Sequence, residues 1–191
     1  MSGTASNVSV GKPQAAGGVY AGPVNANATP TSALTTLDQS LTGLGYVSDE
    51  GLTNTIEMET TDIFAWGGDR VLSVRVSRAE SFNWTFIESL KEAVLAQVYG
   101  PDNVKTVAGE LVVIHNSEEL PNQLYVFEIL MTGNKVKRIV VPDSKITDTG
   151  DVVYVDGEAI GYTVTLACNP DASGNTVYEY IAEIDDGSGS A

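Results

Sequence analysis

The sequence predicts a mainly β protein, a two-sheet antiparallel sandwich flanked by one α-helix. An apolar/polar alternation of period two recurs from Thr53 to Ile184, in about eight segments separated by turn residues. Ile87, Leu90, Val94 and Val98 recur at helical spacing and give one helix. The chain's 191 residues and 42% hydrophobic content are enough for one domain with a substantial core.

Residues 1–18 are small and polar and read as a flexible segment. Residues 19–52 are rich in Ala, Thr, Gly, Asn and Pro and read as an extended arm with little regular structure. A connection that long is uncommon inside a compact domain, so the arm is expected to pack on something else. Its apolar anchors include Tyr20, Leu34 and Leu37, which become candidate inter-subunit contacts. On that view, deleting residues 17–45 leaves a folded sandwich. Residues 53–184 form the sandwich, and 185–191 read as a flexible tail.

Within the sandwich, Thr53–Thr61 alternates and is the first strand. Residues 62–69 form a loop in which Ile63, Phe64 and Trp66 sit beside Gly67 and Gly68. These three side chains either fill the core or form a hydrophobic tip that inserts into a neighbouring subunit. From Val71 to Phe86 the even positions read Leu72, Val74, Val76, Arg78, Glu80, Phe82, Trp84, Phe86, and the odd positions are mostly small or polar. Such a strand spans about 50 Å at 3.3 Å per residue. It must either bend or project, and a projecting edge is a template for further pairing.

A helix over residues 87–99 follows, closed by Gly100 as a left-handed cap and by Pro101. Leu111–His115 is a strand, and Gln123–Met131 with Lys135–Val141 form a hairpin around Thr132-Gly133-Asn134. Asp156-Gly157 predicts a tight turn between strands Val152–Val155 and Ala159–Cys168. The last strand is Thr176–Ile184, with Tyr178, Tyr180 and Ala182 on one face.

Charge narrows the function classes. With 25 acidic and 10 basic residues the net charge is −15, which argues against binding nucleic acid by phosphate neutralisation. It favours solubility. The N-terminal residues show no apolar run of a signal peptide, and no stretch approaches the length of a membrane span.

The residues offer little chemistry. The single cysteine, Cys168, falls on an apolar strand face and reads as a buried structural thiol. The single histidine, His115, has no partner set for zinc and no nucleophile-elbow motif nearby. No phosphate-binding glycine loop is present. Asp143, Asp148, Asp151, Asp156 and Glu158 cluster near two turns without EF-hand spacing. They serve turns and solvent, or else form an incidental calcium or magnesium site. Lys137 and Arg138 point to opposite faces by alternation, which suits separate ion pairs, including pairs with another subunit. No catalytic site, metal site or cofactor is expected, and the chain is read as a non-enzyme.

Three stretches in order carry a resemblance: Asp62-Ile-Phe-Ala-Trp-Gly-Gly-Asp69, the strand ending Phe82-Asn-Trp-Thr-Phe-Ile-Glu88, and the helix ending Val98-Tyr99-Gly100. Together with Gly43–Leu52, Arg138–Asp143, Gly150–Tyr154 and Ala159–Tyr162, they resemble the major tail (tail tube) protein of long, non-contractile-tailed bacteriophages. The resemblance runs over roughly residues 17–184. It implies a β-sandwich with a flanking helix that forms hexameric rings with a β-barrel lumen, stacked head to tail into a tube. It also implies a tape-measure protein, a tail initiator and a tail terminator as partners. DNA would pass through the lumen without specific binding, and the protein would be made in the host cytoplasm and reside in the virion. Some relatives add an immunoglobulin-like domain, which residues 185–191 do not resemble.

The polar strand face gives candidate lumen residues, Glu57, Glu59, Ser73, Ser77, Ser81 and Asn83, with Arg75 interrupting that face. An acidic lumen would let DNA slide without sticking. Two other readings stand beside this one. The chain could be a monomeric sandwich acting as an adhesin or carbohydrate binder, with Trp66 and Tyr99 in one groove. It could also be the tube protein of a related contractile or secretion system.

Overall fold

The computed structural model describes residues 4, 7–14 and 17–184. The tail expected over 185–191 and part of the segment 1–18 lie outside the described residues. The strands are β1 (Gly11–Pro13), β2 (Val19–Pro23), β3 (Thr42–Gly43), β4 (Thr53–Phe64), β5 (Arg70–Phe86), β6 (Val104–Val107), β7 (Glu110–Val113), β8 (Gln123–Met131), β9 (Lys135–Thr149), β10 (Tyr162–Cys168) and β11 (Tyr178–Glu183). Among the described residues one α-helix, α1 (Glu92–Tyr99), follows β5, with a short 3-10 turn, Pro101–Asn103, after it.

The expected antiparallel, mainly β architecture with one α-helix is present, but the two layers are not separate sheets. A single nine-stranded sheet runs β3-β2-β8-β9-β10-β5-β4, with β1 added to β8 and β11 to β9, and β6-β7 form a small second sheet. The large sheet folds over on itself through β9. Residues Lys135–Val140 of β9 lie between β8 and β11, whereas Ser144–Thr149 pair with β10. The changeover falls at Pro142-Asp143, where the β8–β9 register shifts. A proline has no N–H to give the ladder, so a strand interior tolerates it where pairing breaks.

The core lies between the two layers. Phe82, Trp84 and Phe86 of β5 meet Tyr125 and Phe127 of β8, and Trp84 stands 5.2 Å from Phe127 edge-on. Because β5 and β8 are not neighbours in the sheet, these ring contacts hold the two layers together. Val94, Leu95 and Val98 of α1 close one side.

The helix starts later than the sequence spacing suggests. Lys91 is extended (φ −86°, ψ 117°) and the helix begins at Glu92, leaving Leu90 in solvent. The reason is a competing partner. The Ile87 N–H donates to the Tyr46 carbonyl, and Val47 bridges to Phe86, so the backbone after β5 continues as a ladder. Val152–Val155 forms no strand either. The chain turns at Gly157 (φ +91°), but β10 begins only at Tyr162.

The arm is less separable than its composition implies. β2 is an inner strand between β3 and β8, and Val19, Ala21 and Leu44 belong to the main core. Residues 24–41 then lie over the outer face of the β8–β9 layer. There Ala28 and Leu41 pack with Leu124, Val126 and Val140, flanked by Tyr20, Leu37, Tyr178 and Tyr180. Removing residues 17–45 would strip buried side chains from both clusters, which argues against the expectation that the sandwich survives it.

Candidate functional site

The β4–β5 hairpin is the part of the molecule that the fold leaves incomplete. The root of β5 is core: Phe82, Trp84 and Phe86 are buried. Its outer residues, Arg70–Ala79, are exposed throughout, as is nearly all of β4. β10 covers the edge of β5 only over Ser81–Phe86. Beyond that point β5 has a free edge, and so does β4 along its whole outer side among the described residues. The outer part of the strand therefore extends beyond the layers that cover its root.

At the tip the Ala65 N–H donates to the Asp69 carbonyl, and Gly67 and Gly68 take φ of +131° and +97°. Only glycine adopts such angles without strain. Of the two readings for the tip, core filling fails: Ile63 and Phe64 are exposed and Trp66 is at 106% of its reference exposure.

Two β-bulges decide which side chains share a face. β4 advances by one residue, Glu59 to Thr60, while β5 advances by two, Ser77 to Arg75, leaving Val76 as the extra residue. A second shift between Ile63 and Phe64 leaves Val71 as the extra residue. Each extra residue inverts the alternation of β5 relative to β4, and residues directly opposite each other share a face.

One face, continuous with the core side, carries Met58 opposite Arg78, Thr60 opposite Arg75, Asp62 opposite Ser73 and Phe64 opposite Arg70. The other carries Thr55 opposite Ser81, Glu57 opposite Ala79, Glu59 opposite Ser77, Thr61 opposite Val74 and Ile63 opposite Leu72. Plain alternation had put Arg75 and Ser73 on the serine face. The bulges move both to the other side, and three of the chain's four arginines share one face. Glu57, Glu59, Ser77, Ser81 and Asn83 do share the opposite face, where the Ser77 hydroxyl donates to Glu59 Oε2 at 3.4 Å. Toward the root this face becomes a hydroxyl and amide ladder: Asn83 donates to Thr165 Oγ1 at 3.1 Å, and Thr85 and Thr163 hydroxyls lie 2.8 Å apart. β4, β5 and β10 place no Lys or Arg on it.

A polar clasp sits where the hairpin leaves the body. Glu80 is buried, and its carboxylate accepts from Thr176 Oγ1 at 2.6 Å, Arg78 Nη2 at 2.8 Å and Asn54 Nδ2 at 3.3 Å. Burial pushes the Glu80 carboxyl up, but these three hydrogen bonds and the Arg78 charge outweigh it and hold the pKa below the usual value. The clasp ties β4 and β5 to the segment leading into β11, fixing where the projection starts. Sequence reading missed it, although a lone Glu within an apolar face of β5 was the available signal.

The other candidate contacts resolve within the chain. Lys137 pairs with Glu179 at 2.8 Å. Arg138 is buried and forked to Glu128, and its Nη1 donates to the Ser32 and Thr35 carbonyls at 2.6 and 2.8 Å. The separate ion pairs predicted for these two residues do form, but inside one subunit, because β8 and β11 flank β9 and bring the carboxylates. Tyr20 and Leu37 edge the second cluster, and Leu34 is exposed.

The remaining chemistry-bearing residues stay apart. His115 stacks on Tyr99 with ring centres 4.3 Å apart. Burial, helped by the Glu80 charge, pushes the Cys168 thiol up to about 12. Among the described residues no group of three His, Cys, Asp or Glu could hold a metal ion. Among the described residues no helix is long and apolar enough to cross a membrane.

No protein-family model and no curated protein matches the chain. Among solved structures it is similar to the anti-feeding prophage cap, a tube-terminating cap seen by cryo-electron microscopy, with 12% identity over 95% of this chain and 100% of that chain, at a TM-score of 0.43.

Proposed function

We propose that this chain is a structural subunit that assembles through its β4–β5 hairpin, and that it builds the tail tube of a long, non-contractile-tailed bacteriophage. One observation carries the reading: a 12-residue strand and the outer part of a 17-residue strand project with both edges unpaired and apolar side chains uncovered on both faces. Free edges of that length invite pairing, and natural proteins protect them unless they are used. The free edge of β5 fits the free edge of β4 in a second copy, and repetition round a ring leaves no edge. In a hexameric ring the hairpins become a barrel, and the face bearing Glu57, Glu59, Ser77, Ser81 and Asn83 lines the lumen, because the sandwich body occupies the opposite side.

Such a lumen suits the passage of DNA. The carboxylates repel phosphates and the hydroxyl and amide ladder offers no cation to hold them. The role is mechanical, with no catalysis and no cofactor, and a tape-measure protein, an initiator and a terminator set tube length. The hairpin reading applies equally to the tube of a contractile or secretion system. A monomeric binding module is less well served, since Trp66 stands alone at the hairpin tip while Tyr99 packs against His115 and Tyr162.

The test is to concentrate the purified chain and follow it by light scattering and negative-stain electron microscopy. Rings or hollow tubes are expected. A chain that stays monomeric at every concentration would favour the adhesin or carbohydrate-binding alternative.

A further inference from the structure

We infer that the arginine-bearing face of the hairpin docks on the acidic β9–β10 connection of a second copy stacked along the strand direction. This rests on the assembly reading above and specifies a contact that edge pairing alone does not supply.

The hairpin face is a sandwich layer without its other half. Near the root it is covered by the chain's own β8. Further out, Met58 and Phe64 lie exposed with Arg70 and Arg75 between and beside them. Arg70 reaches Asp62 at 3.2 Å while remaining largely in solvent, and Arg78 is held in the Glu80 clasp. In a chain with 25 acidic and 10 basic residues, a face on which Asp62 and Glu80 offset two of three arginines and Arg75 adds a further charge is local charge of the rare sign. A face that sets arginines among the exposed Met58 and Phe64 calls for a surface that is acidic and carries apolar side chains.

The chain itself carries one. Residues 150–161 expose Val153, Tyr154 and Val155 between Asp151 and Asp156, all of them in solvent and none in a ladder. This segment enters β10 at Tyr162, which pairs with Phe86 at the root end of β5, so it lies at the opposite end of that strand from the arginines. From Arg75 to Phe86 the strand runs about 36 Å at 3.3 Å per residue. A copy displaced along the strand by that order of length brings one copy's connection to the next copy's arginine face. Because the two surfaces differ and lie at opposite ends, the contact is heterologous and repeats without closing. Its charges fix register and speed encounter more than they add affinity.

The test compares the full-length chain with Arg75→Glu, with Arg75→Glu combined with Asp151→Arg and Asp156→Arg, and with Lys105→Glu, which makes the same net-charge change on exposed β6. Circular dichroism melts check folding, and electron microscopy with sedimentation measures assembly at 0.1 M salt. Arg75→Glu should raise the concentration needed for stacked assemblies roughly tenfold or more, as a reversed charge at an interface does. Lys105→Glu should not, and the triple variant should recover. If Arg75→Glu stacks like the parent, or the triple variant fails to recover, the docking inference is wrong while the assembly reading stands. If the parent forms no ordered assembly at all, both fail together.

Discussion

The two halves of β5 are built from the same alternation yet live in different solvents. From Glu80 to Phe86 every second side chain is buried, and from Arg70 to Ala79 none is. The root is fixed by layers already present in the chain: aromatic rings of β8 above it, β10 along one edge and the Glu80 clasp at its limit. The outer half has the same β-forming residues and no layer of its own. An alternating pattern therefore specifies a strand and its two faces, and says nothing about whether the covering layer belongs to the same molecule.

Substitutions should separate the halves. Trp84→Ala, at the centre of the aromatic cluster, should cost about 3–5 kcal/mol in urea unfolding of the monomer. Val74→Ala in the outer half should move the same transition by no more than about 0.5 kcal/mol, the range for exposed sites. A large loss at Val74 in the monomer would mean that the outer half is covered within the chain. Glu128→Ala should rank just below Trp84→Ala, at about 3–5 kcal/mol, because it strands the buried Arg138 guanidinium. The same variant should expose residues 24–41 to limited proteolysis, since Arg138 also holds the Ser32 and Thr35 carbonyls.

The clasp gives a smaller effect with a defined sign. The Glu80 pKa is lowered in the folded chain, so its contribution is fully present above the unfolded value of 4.5 and fades as pH falls through the lower folded value. Replacing it by Gln should flatten the loss of stability with acid below about pH 4.5, read from melting curves across pH 3–7. The smallest effect concerns Cys168. With its thiol pushed up to about 12, it should react with a disulfide reagent at pH 8 far more slowly than the unfolded chain does.

Much of this architecture was legible in advance. The long strand, the β8–β9 hairpin around Thr132-Gly133-Asn134 and the tyrosine face of β11 all follow from local period and turn residues, and Tyr178 and Tyr180 do stack. What stayed hidden depends on partners distant in sequence. A bulge at Val76 exists only relative to β4, so alternation alone placed Arg75 on the wrong face. β2 is short and ends in Gly22-Pro23, yet Val19 and Ala21 alternate with Tyr20 and could have been read as a strand. The helix start was misplaced because Ile87 has the right spacing but its N–H belongs to Tyr46. Val152–Val155 has strand chemistry and no in-chain partner, so propensity there went unanswered.

The placement of β10 in the chain has a consequence for synthesis. The hairpin is complete at Phe86, but the strand that seals its root begins at Tyr162. At 5–20 residues per second, the ribosome leaves it unsealed for roughly 4–15 s. During that interval the edge of β5 over Ser81–Phe86 is free as well, in addition to the outer edges that stay free in the finished chain. Glu57, Glu59, Arg70, Arg75 and Arg78 lie along the outer hairpin, where charged side chains keep premature strand pairing weak.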